Sequence, residues 1–328
     1  MSVLDRRRRS VGAVHGDGEE TGRQQRLGTL AGLAAYSLWG VFPLVFHELE
    51  GVGALEILMH RVVWSFVVVL AVLAVRRKGA WVRPLLADRR RVALLAAAGT
   101  LVATNWLVYI WAVNEDRVIE AALGYYINPL ITVALGVVVL REHLRRAQVV
   151  ALGFGAAAVA VLTIAYGRLP WIALVLAASF AGYGYLKKSV GVGAAESLAV
   201  ETAVLLPIAL VGLVVLEVGG DAGFLHGSGG RDALLVSLGV VTAVPLLLFG
   251  TAARRIPLSL LGLLQYLTPT LQLLCGVVVL DEDLPPERLV GFVLVWIALL
   301  LLAVDAFRGR AGRGVAAAVD PHPAAEPV

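Results

Sequence analysis

Ten apolar segments of 17 to 24 residues run through this chain of 328 residues, separated by short polar or basic connections. A segment of that length crosses the roughly 30 Å hydrocarbon core of a bilayer as a helix, which rises about 1.5 Å per residue. The segments lack the alternation of a barrel strand, so helices are the backbone form that satisfies its hydrogen bonds in lipid. We predict an all-α polytopic membrane protein with ten transmembrane helices, at residues 28–47, 55–75, 92–113, 118–140, 147–165, 170–186, 198–216, 233–251, 257–280 and 289–306.

The composition supports this class. Hydrophobic residues make up 59% of the chain and charged residues 16%, against about half and about a quarter in soluble domains. The pI of about 9.4 would suggest a nucleic-acid partner for a soluble protein, but here the basic residues lie in short runs between apolar segments. We therefore expect the lipid bilayer as a partner and no nucleic acid.

The positions of lysine and arginine predict the orientation. If the N-terminus is cytoplasmic, 23 of the 28 basic residues lie in cytoplasmic connections and tails, and four lie in outer connections. Because basic residues concentrate on the cytoplasmic side, we predict that both termini are cytoplasmic. The tails, residues 1–27 and 307–328, are polar or rich in Ala, Gly and Pro, and we expect both to be disordered.

An internal repeat divides the membrane region. Residues 129–140 align with residues 269–280 at an offset of 140, and both runs go from a proline to Gly-Val-Val-Val-Leu and on to a glutamate, Glu142 or Glu282. The repeat unit is then five helices, and an odd-numbered unit enters the membrane in opposite orientations. We predict two inverted five-helix repeats, residues 28–166 and 167–306, related by a two-fold axis in the membrane plane.

Motifs of several other classes are absent from the sequence. It has no Gly-x-x-x-x-Gly-Lys-Ser/Thr loop, no Gly-x-Ser-x-Gly elbow and no His-Glu-x-x-His, which argues against ATP-driven transport and common hydrolases. The single cysteine, Cys275, excludes an internal disulfide and a cysteine-based metal site. We expect no cofactor and no metal.

Ionisable residues in the second span are candidates for function. Glu56 and His60 are four residues apart and share a helix face, and Arg61 follows directly. Charged groups inside a span are costly unless they face protein or water. Two interpretations stay open: a path for a solute or proton, with Glu56 and His60 as candidates for proton coupling, or anchoring at the interface, because His60 and Arg61 lie only about 7 to 9 Å deep.

Polar and aromatic residues of other spans complete the predicted site. Asn105 of the third span lies at about the depth of Arg61, so we expect these two to be neighbours, and it shares a helix face with Tyr109; contact between helices is the alternative role for Asn105. Pro129 and Pro269 lie near the midplane at corresponding positions of the two repeats, where paired helix breaks point to a transport site and plain kinks are the alternative. The candidate substrate-binding or pathway residues are His60, Arg61, Asn105, Tyr109, Tyr125, Asn128, Gln265, Tyr266 and Gln272.

Several runs together resemble the RarD group of EamA transporters, in the drug/metabolite transporter superfamily: residues 34–40, 56–61, 105–114, 123–130, 244–247 and 261–270. The resemblance covers about residues 28 to 306. It implies ten helices in two inverted halves, a central cavity lined mainly by the first four helices of each half, and a bacterial inner membrane location. It brings no settled substrate, because the group is named from an association with chloramphenicol.

The sequence therefore predicts a secondary transporter, not an enzyme, that moves a small organic metabolite or drug across the inner membrane by alternating access. Proton coupling, direction, substrate identity and oligomeric state stay open. One alternative is a membrane-embedded lipid-modifying enzyme with Glu56 and His60 as acid and base, although we find no nucleophile or metal ligands to accompany them. The other alternative is a non-transporting membrane partner subunit.

Overall fold

The computed structural model describes residues 3–76, 79–141, 146–253, 255–256, 260–261 and 264–319. Within these residues the chain is helical and contains no strand. The helices are α1 (Val3–Gly40), α2 (Phe42–His47), α3 (Ala54–Val75), α4 (Val82–Ala87), α5 (Arg89–Asn114), α6 (Val118–Leu140), α7 (Arg146–Tyr166), α8 (Trp171–Val190), α9 (Ala194–Gly219), α10 (Gly229–Ala253), α11 (Leu267–Leu274), a π-helical turn (Cys275–Val279) and α12 (Pro286–Val319).

Eight helices of the described residues are long and apolar enough to cross a membrane. They correspond to all the predicted spans except the sixth and the ninth. Two shorter apolar helices, Trp171–Lys187 and Leu267–Val279, occupy those two places. An all-helical membrane protein is thus confirmed, and the number of ten crossing helices stays a prediction.

Both predicted tails contain helix in the structure. α1 begins at Val3 and α12 continues to Val319, so each extends well beyond its apolar segment. A helix that has already been nucleated adds further residues at little cost, and arginine, glutamine and glutamate are good helix formers. Residues 1–2 and 320–328, and Glu142 of the repeated motif, lie outside the described residues.

The first membrane span is interrupted. α1 ends at Gly40 and α2 begins at Phe42, with Pro43 in its first turn, where the missing N–H of proline costs no helical hydrogen bond. Gly40 packs on α11, where an added Cβ would lie 2.6 Å from the Cβ of Leu271. The interruption therefore lies against the ninth predicted span and turns Phe42 and Phe46 into the core.

Helix packing follows the same pattern in the two predicted halves, residues 28–166 and 167–306. α1 packs on α10 and α11, and α8, five spans later, packs on α5 and α6. In the same way α3 packs on α9 and α10, and α9 packs on α3 and α5. Two pairs of connections repeat as well, because in each pair a residue with left-handed φ recurs 140 positions further on: Gly51 (85°) with Gly191 (66°), and Arg141 (54°) with Asp281 (50°).

Two glycines, also 140 positions apart, let helices of different halves approach closely. Gly239 of α10 lies against the backbone of Trp64 in α3, and Gly99 of α5 lies against the backbone of Glu201 in α9. A side chain at Gly239 would collide with the Trp64 carbonyl. The close contact between α3 and α10 brings Arg61 of α3 within hydrogen-bonding distance of Thr242 on α10.

Candidate substrate site around Arg61

Arg61 lies inside the helix bundle, with 3% of its surface exposed. Its Nε donates a 2.9 Å hydrogen bond to Thr242 Oγ1 of α10. The guanidinium carbon lies 4.0 Å from the ring centroid of Trp106 and 5.6 Å from those of Phe42 and Phe46. An interfacial anchor would need an exposed head group, which this buried guanidinium lacks. A role of Arg61 in the pathway stays a prediction.

A chain of rings and hydrogen bonds extends this site towards α6 and α8. Phe46 makes an edge contact with Tyr109, and Tyr109 makes one with Tyr125, at centroid distances of 6.0 and 5.8 Å. Tyr125 donates to Asn105 Oδ1 at 3.0 Å. We call Arg61, Phe42, Phe46, Trp106, Tyr109, Tyr125, Asn105 and Thr242 the Arg61 cluster.

Asn105 has a second set of partners. Its amide donates to the Leu176 carbonyl at 3.0 Å and to Ser179 Oγ at 3.1 Å, both on α8. Asn105 therefore joins α5 to α8, which is the alternative role that the sequence analysis gives for it. Its Oδ1 also holds the Tyr125 hydroxyl in place.

Several buried polar atoms near the cluster have no hydrogen-bond partner among the described residues. They include Tyr109 OH and Ser65 Oγ, whose residues are 3% and 0% exposed. Ser65 follows Arg61 by one helical turn on the same face of α3. Since buried polar groups are nearly always satisfied, these hydroxyl groups require a partner from outside the described side chains, such as an ordered water.

Glu56 and His60 lie in a different environment, against the connection between α9 and α10. The Glu56 carboxylate accepts backbone hydrogen bonds from Gly223 and Phe224 at 2.9 to 3.0 Å. The His60 ring packs on Phe224 at 4.6 Å, its Nδ1 accepts from Trp64, and its Nε2 is buried without a partner in the described chain. Glu56 thus joins the two halves of the chain, whatever its role in proton coupling.

Gln272 joins α11 to the interrupted first span. Its Nε2 donates to the Trp39 carbonyl at 3.2 Å, and its Oε1 is buried with no partner among the described residues. One turn later, Cys275 Sγ lies 3.8 Å from the Gly40 carbonyl. The ninth predicted span therefore meets the first span where both depart from regular α-helix.

The remaining predicted residues lie apart from the Arg61 contacts. Tyr266 packs on a second hydrophobic core of α6, α7, α8 and α12, and it forms a turn with Gln265 before α11. Asn128 is half-buried and accepts from Thr132, one turn further along α6. Their place in the pathway stays a prediction.

The two midplane prolines have different settings. α6 continues through Pro129 as one helix from Val118 to Leu140. Pro269 is the third residue of α11, where backbone N–H groups have no intrahelical partner and proline is tolerated. The irregularity of this span therefore lies on either side of Pro269, in the turn at 265–266 and the π-helical turn.

A second tie between the halves involves Glu282. Its carboxylate accepts the backbone N–H groups of Val118 and Ile119, the latter at 2.9 Å, at the start of α6. A carboxylate is favoured at a helix N-terminus because the free N–H groups and the helix dipole attract it. Burial nevertheless raises the pKa of Glu282, and the two backbone hydrogen bonds oppose that rise.

A buried ion pair lies in the second half. Lys187 Nζ of α8 lies 2.9 Å from Glu201 Oε1 of α9, and the same oxygen accepts from Ser197 at 2.5 Å. Glu201 is 1% exposed and Lys187 is 24% exposed. The Glu201 carboxylate therefore neutralises Lys187.

Two cavities lie outside the Arg61 cluster. One, of about 10 Å³, lies between α3, α9 and α10. The other, of about 460 Å³, is an open apolar groove between α3, α5 and α8 beside Trp111 and Trp171. No group of three or more potential metal ligands occurs among the described residues.

Sequence reasoning missed Thr242, Phe42, Phe46 and Glu282 as participants. Trp106 lies in the run 105–114 that carries the family resemblance, but nothing in its position marks it as a site residue. Thr242 carries a weak signal, since it lies three residues before Pro245 of the run 244–247. The two phenylalanines carry none, because only the interruption at residue 41 turns them inward.

Known proteins resemble this chain in sequence and in fold. The profile of the EamA-like transporter family matches residues 26–164. Protein RarD of Streptomyces exfoliatus is 52% identical over 87% of this chain and 90% of its own length. An uncharacterized transporter of Pseudomonas aeruginosa is 43% identical over 86% of this chain and 95% of its own length. A crystal structure that is 19% identical shares the fold, with a TM-score of 0.56 over 86% of this chain and 98% of that one.

The fold and these relatives define a multi-pass transporter of the bacterial inner membrane, within the drug/metabolite transporter superfamily. Within that class, the chain belongs to the RarD-like group of the EamA family.

Proposed function

We propose that this protein is a secondary transporter that moves a small organic metabolite or drug by alternating access of two inverted five-helix halves. The observation that carries the proposal is the Arg61 cluster, a buried polar and aromatic site built on α2, α3, α5, α6 and α10. Inverted repeats place a substrate site where the halves meet. The cluster meets that requirement, because Arg61 of the first half bonds to Thr242 of the second.

The repeated packing supports the inverted arrangement. The helix contacts of α1, α3, α8 and α9 each have a counterpart five spans away, and four of the eight left-handed residues of the described chain form two pairs 140 positions apart. With cytoplasmic termini, the ties made by Glu56 and Glu282 lie on the outer side. We infer that these ties close the molecule towards the outside.

Counterflow in liposomes tests transport directly. The purified chain is reconstituted with an unlabelled solute inside, and uptake of the labelled solute is followed across a panel of metabolites and amphenicol drugs. Exchange by the chain alone supports a transporter, whereas the partner-subunit alternative predicts no exchange of any solute. Asn128→Ala and Gln265→Ala should slow exchange if these residues line the pathway, and unchanged exchange would remove them from it.

Proton coupling through Glu56 or His60 is a separate part of the proposal. An imposed pH gradient should then drive accumulation in wild-type liposomes but not in Glu56→Gln or His60→Gln liposomes, while counterflow persists in all three. Indifference of the wild type to the gradient would reject coupling. The lipid-modifying alternative gains no support from a transporter family, and it predicts turnover of lipid by the purified chain.

A further inference from the structure

Arg61 is a buried cation without a counter-anion in the described part of the chain. The ion pairs found there are Arg91 with Asp88, Arg168 with Glu120, Lys187 with Glu201 and His226 with Glu217, and none includes Arg61. The nearest carboxylate in sequence, Glu56, is occupied by the backbone of residues 223–224. An unpaired buried charge is costly, and arginine does not relieve that cost by losing its proton.

The guanidinium also keeps donors free. Of its five N–H groups, the Nε–H is the one with a hydrogen bond to a described residue, at Thr242. The two terminal amino groups form the planar fork that fits a carboxylate with two parallel hydrogen bonds. Attraction to the ring of Trp106 at 4.0 Å offsets part of the cost of burial but satisfies no N–H group.

The surroundings of the fork are aromatic. Phe42, Phe46 and Trp106 contact the guanidinium, and Tyr109 is joined to it through Phe46. Tyr109 OH and Ser65 Oγ add buried hydroxyl groups without partners in the described chain. This combination suits an anionic group attached to a flat apolar body.

We propose that the Arg61 cluster binds the carboxylate of an organic monoanion, with the aromatic side chains around Arg61 enclosing its apolar body. This inference rests on the proposed transport function and names its substrate class. The bound carboxylate supplies the counter-charge that the described side chains do not, so Arg61 is neutralised when the site is loaded.

The first test measures binding to the purified full chain in detergent. Aromatic monocarboxylates such as 3-phenylpropionate are compared with their neutral primary amides, and binding is read from the melting temperature and tryptophan fluorescence. We expect the acids to stabilise the protein, and the amides to bind at least about tenfold more weakly, since a charged hydrogen-bonded pair is lost. Equal effects of acid and amide, or no stabilisation by any acid of the series, would overturn the proposal.

The second test uses variants of Arg61. Arg61→Lys keeps the charge but loses the fork, and we expect at least about tenfold weaker binding of the acids. Arg61→Met with Thr242→Val removes the charge and its partner together. This double variant should lose the preference for acids and, without ligand, melt no lower than wild type, because the unpaired charge is gone. Arg91→Gln, at an exposed surface pair, is the matched control and should bind as wild type does.

These outcomes separate the inference from the proposed function. Counterflow of neutral or cationic solutes without any preference for acids would leave transport standing and contradict the anion site. Binding of acids that depends on Arg61, but without counterflow, would support the site and contradict transport. A ligand-free double variant that melts clearly below wild type would make Arg61 a structural residue and overturn the proposal.

Discussion

Glu282 accepts the backbone N–H of Ile119 at 2.9 Å. The contact ties the connection before α12, in the second half, to the first turn of α6, in the first half. In the proposed alternating-access cycle, opening that side of the molecule requires this bond to break, so the protonation state of the Glu282 carboxylate should affect closure.

Acid should favour the closed form. Burial raises the pKa of Glu282 above its ordinary value of 4.5, with Asp116 raising it further and Arg288 lowering it. The closed form therefore binds a proton more tightly than a form in which Glu282 is in water, and its stability falls as pH rises from 4.5 through the raised pKa. Melting temperatures across this pH range should show this fall for wild type and a smaller one for Glu282→Gln.

The exposed neighbour Asp283 provides the control for this experiment. Asp283→Asn should leave the pH profile as in wild type. A difference between wild type and Glu282→Gln that stays constant across the pH range would refute the role assigned to Glu282.

Loss of the Glu56 carboxylate should destabilise the protein strongly. Glu56→Ala leaves the backbone N–H groups of Gly223 and Phe224 without their acceptor. The site is buried, since Glu56 is only 2% exposed. Hydrogen bonds to charged groups contribute about 1.5 to 3 kcal/mol each, so we expect the free energy of unfolding to fall by about 3 kcal/mol. Glu217→Ala, at an exposed pair with His226, should change it by less than about 1 kcal/mol. Equal effects of the two substitutions would contradict this account.

Gly239→Ala should separate α3 from α10. The new methyl group would collide with the backbone of Trp64, and overpacking of this kind costs about 1 to 3 kcal/mol. Thr242 lies one turn away on α10, so its bond to Arg61 should weaken and acid binding should fall as well. Gly184→Ala, with nothing within 4 Å of the added carbon, should be neutral or slightly stabilising. A Gly239→Ala protein with wild-type melting temperature and binding would show that this contact is dispensable.

The Lys187–Glu201 pair should behave as a coupled unit. Glu201→Gln leaves Lys187 without its counter-charge, whereas the double variant Glu201→Gln with Lys187→Met removes both charges. Breaking a buried pair costs about 3 to 5 kcal/mol, and we expect about half of that here because Lys187 is 24% exposed. The double variant should recover most of the loss. Additive effects of the two substitutions would indicate no coupling.

Helix positions were predictable because apolar length alone marks them. The span predicted at 55–75 is α3 at Ala54–Val75, and the span predicted at 118–140 coincides with α6. Helical spacing also brought Asn105 and Tyr109 onto one face near Arg61. Spacing within helices carries no information about where a connection folds back, so the contacts of Glu56 with residues 223–224 and of Glu282 with α6 could not be predicted. The inward turn of Phe42 depends on a packing contact between Gly40 and Leu271 that a local pattern does not encode.

Access to the Arg61 cluster from both faces of the membrane is the most direct test of alternating access. Ser65→Cys in a Cys275→Ser chain places one thiol a helical turn from Arg61, at a buried position whose hydroxyl has no partner among the described residues. A membrane-impermeant thiol reagent is applied to right-side-out and to inverted vesicles. We predict labelling from both faces, with protection by a bound monocarboxylate. Labelling from one face only, or from neither, would contradict a site that opens to each side in turn.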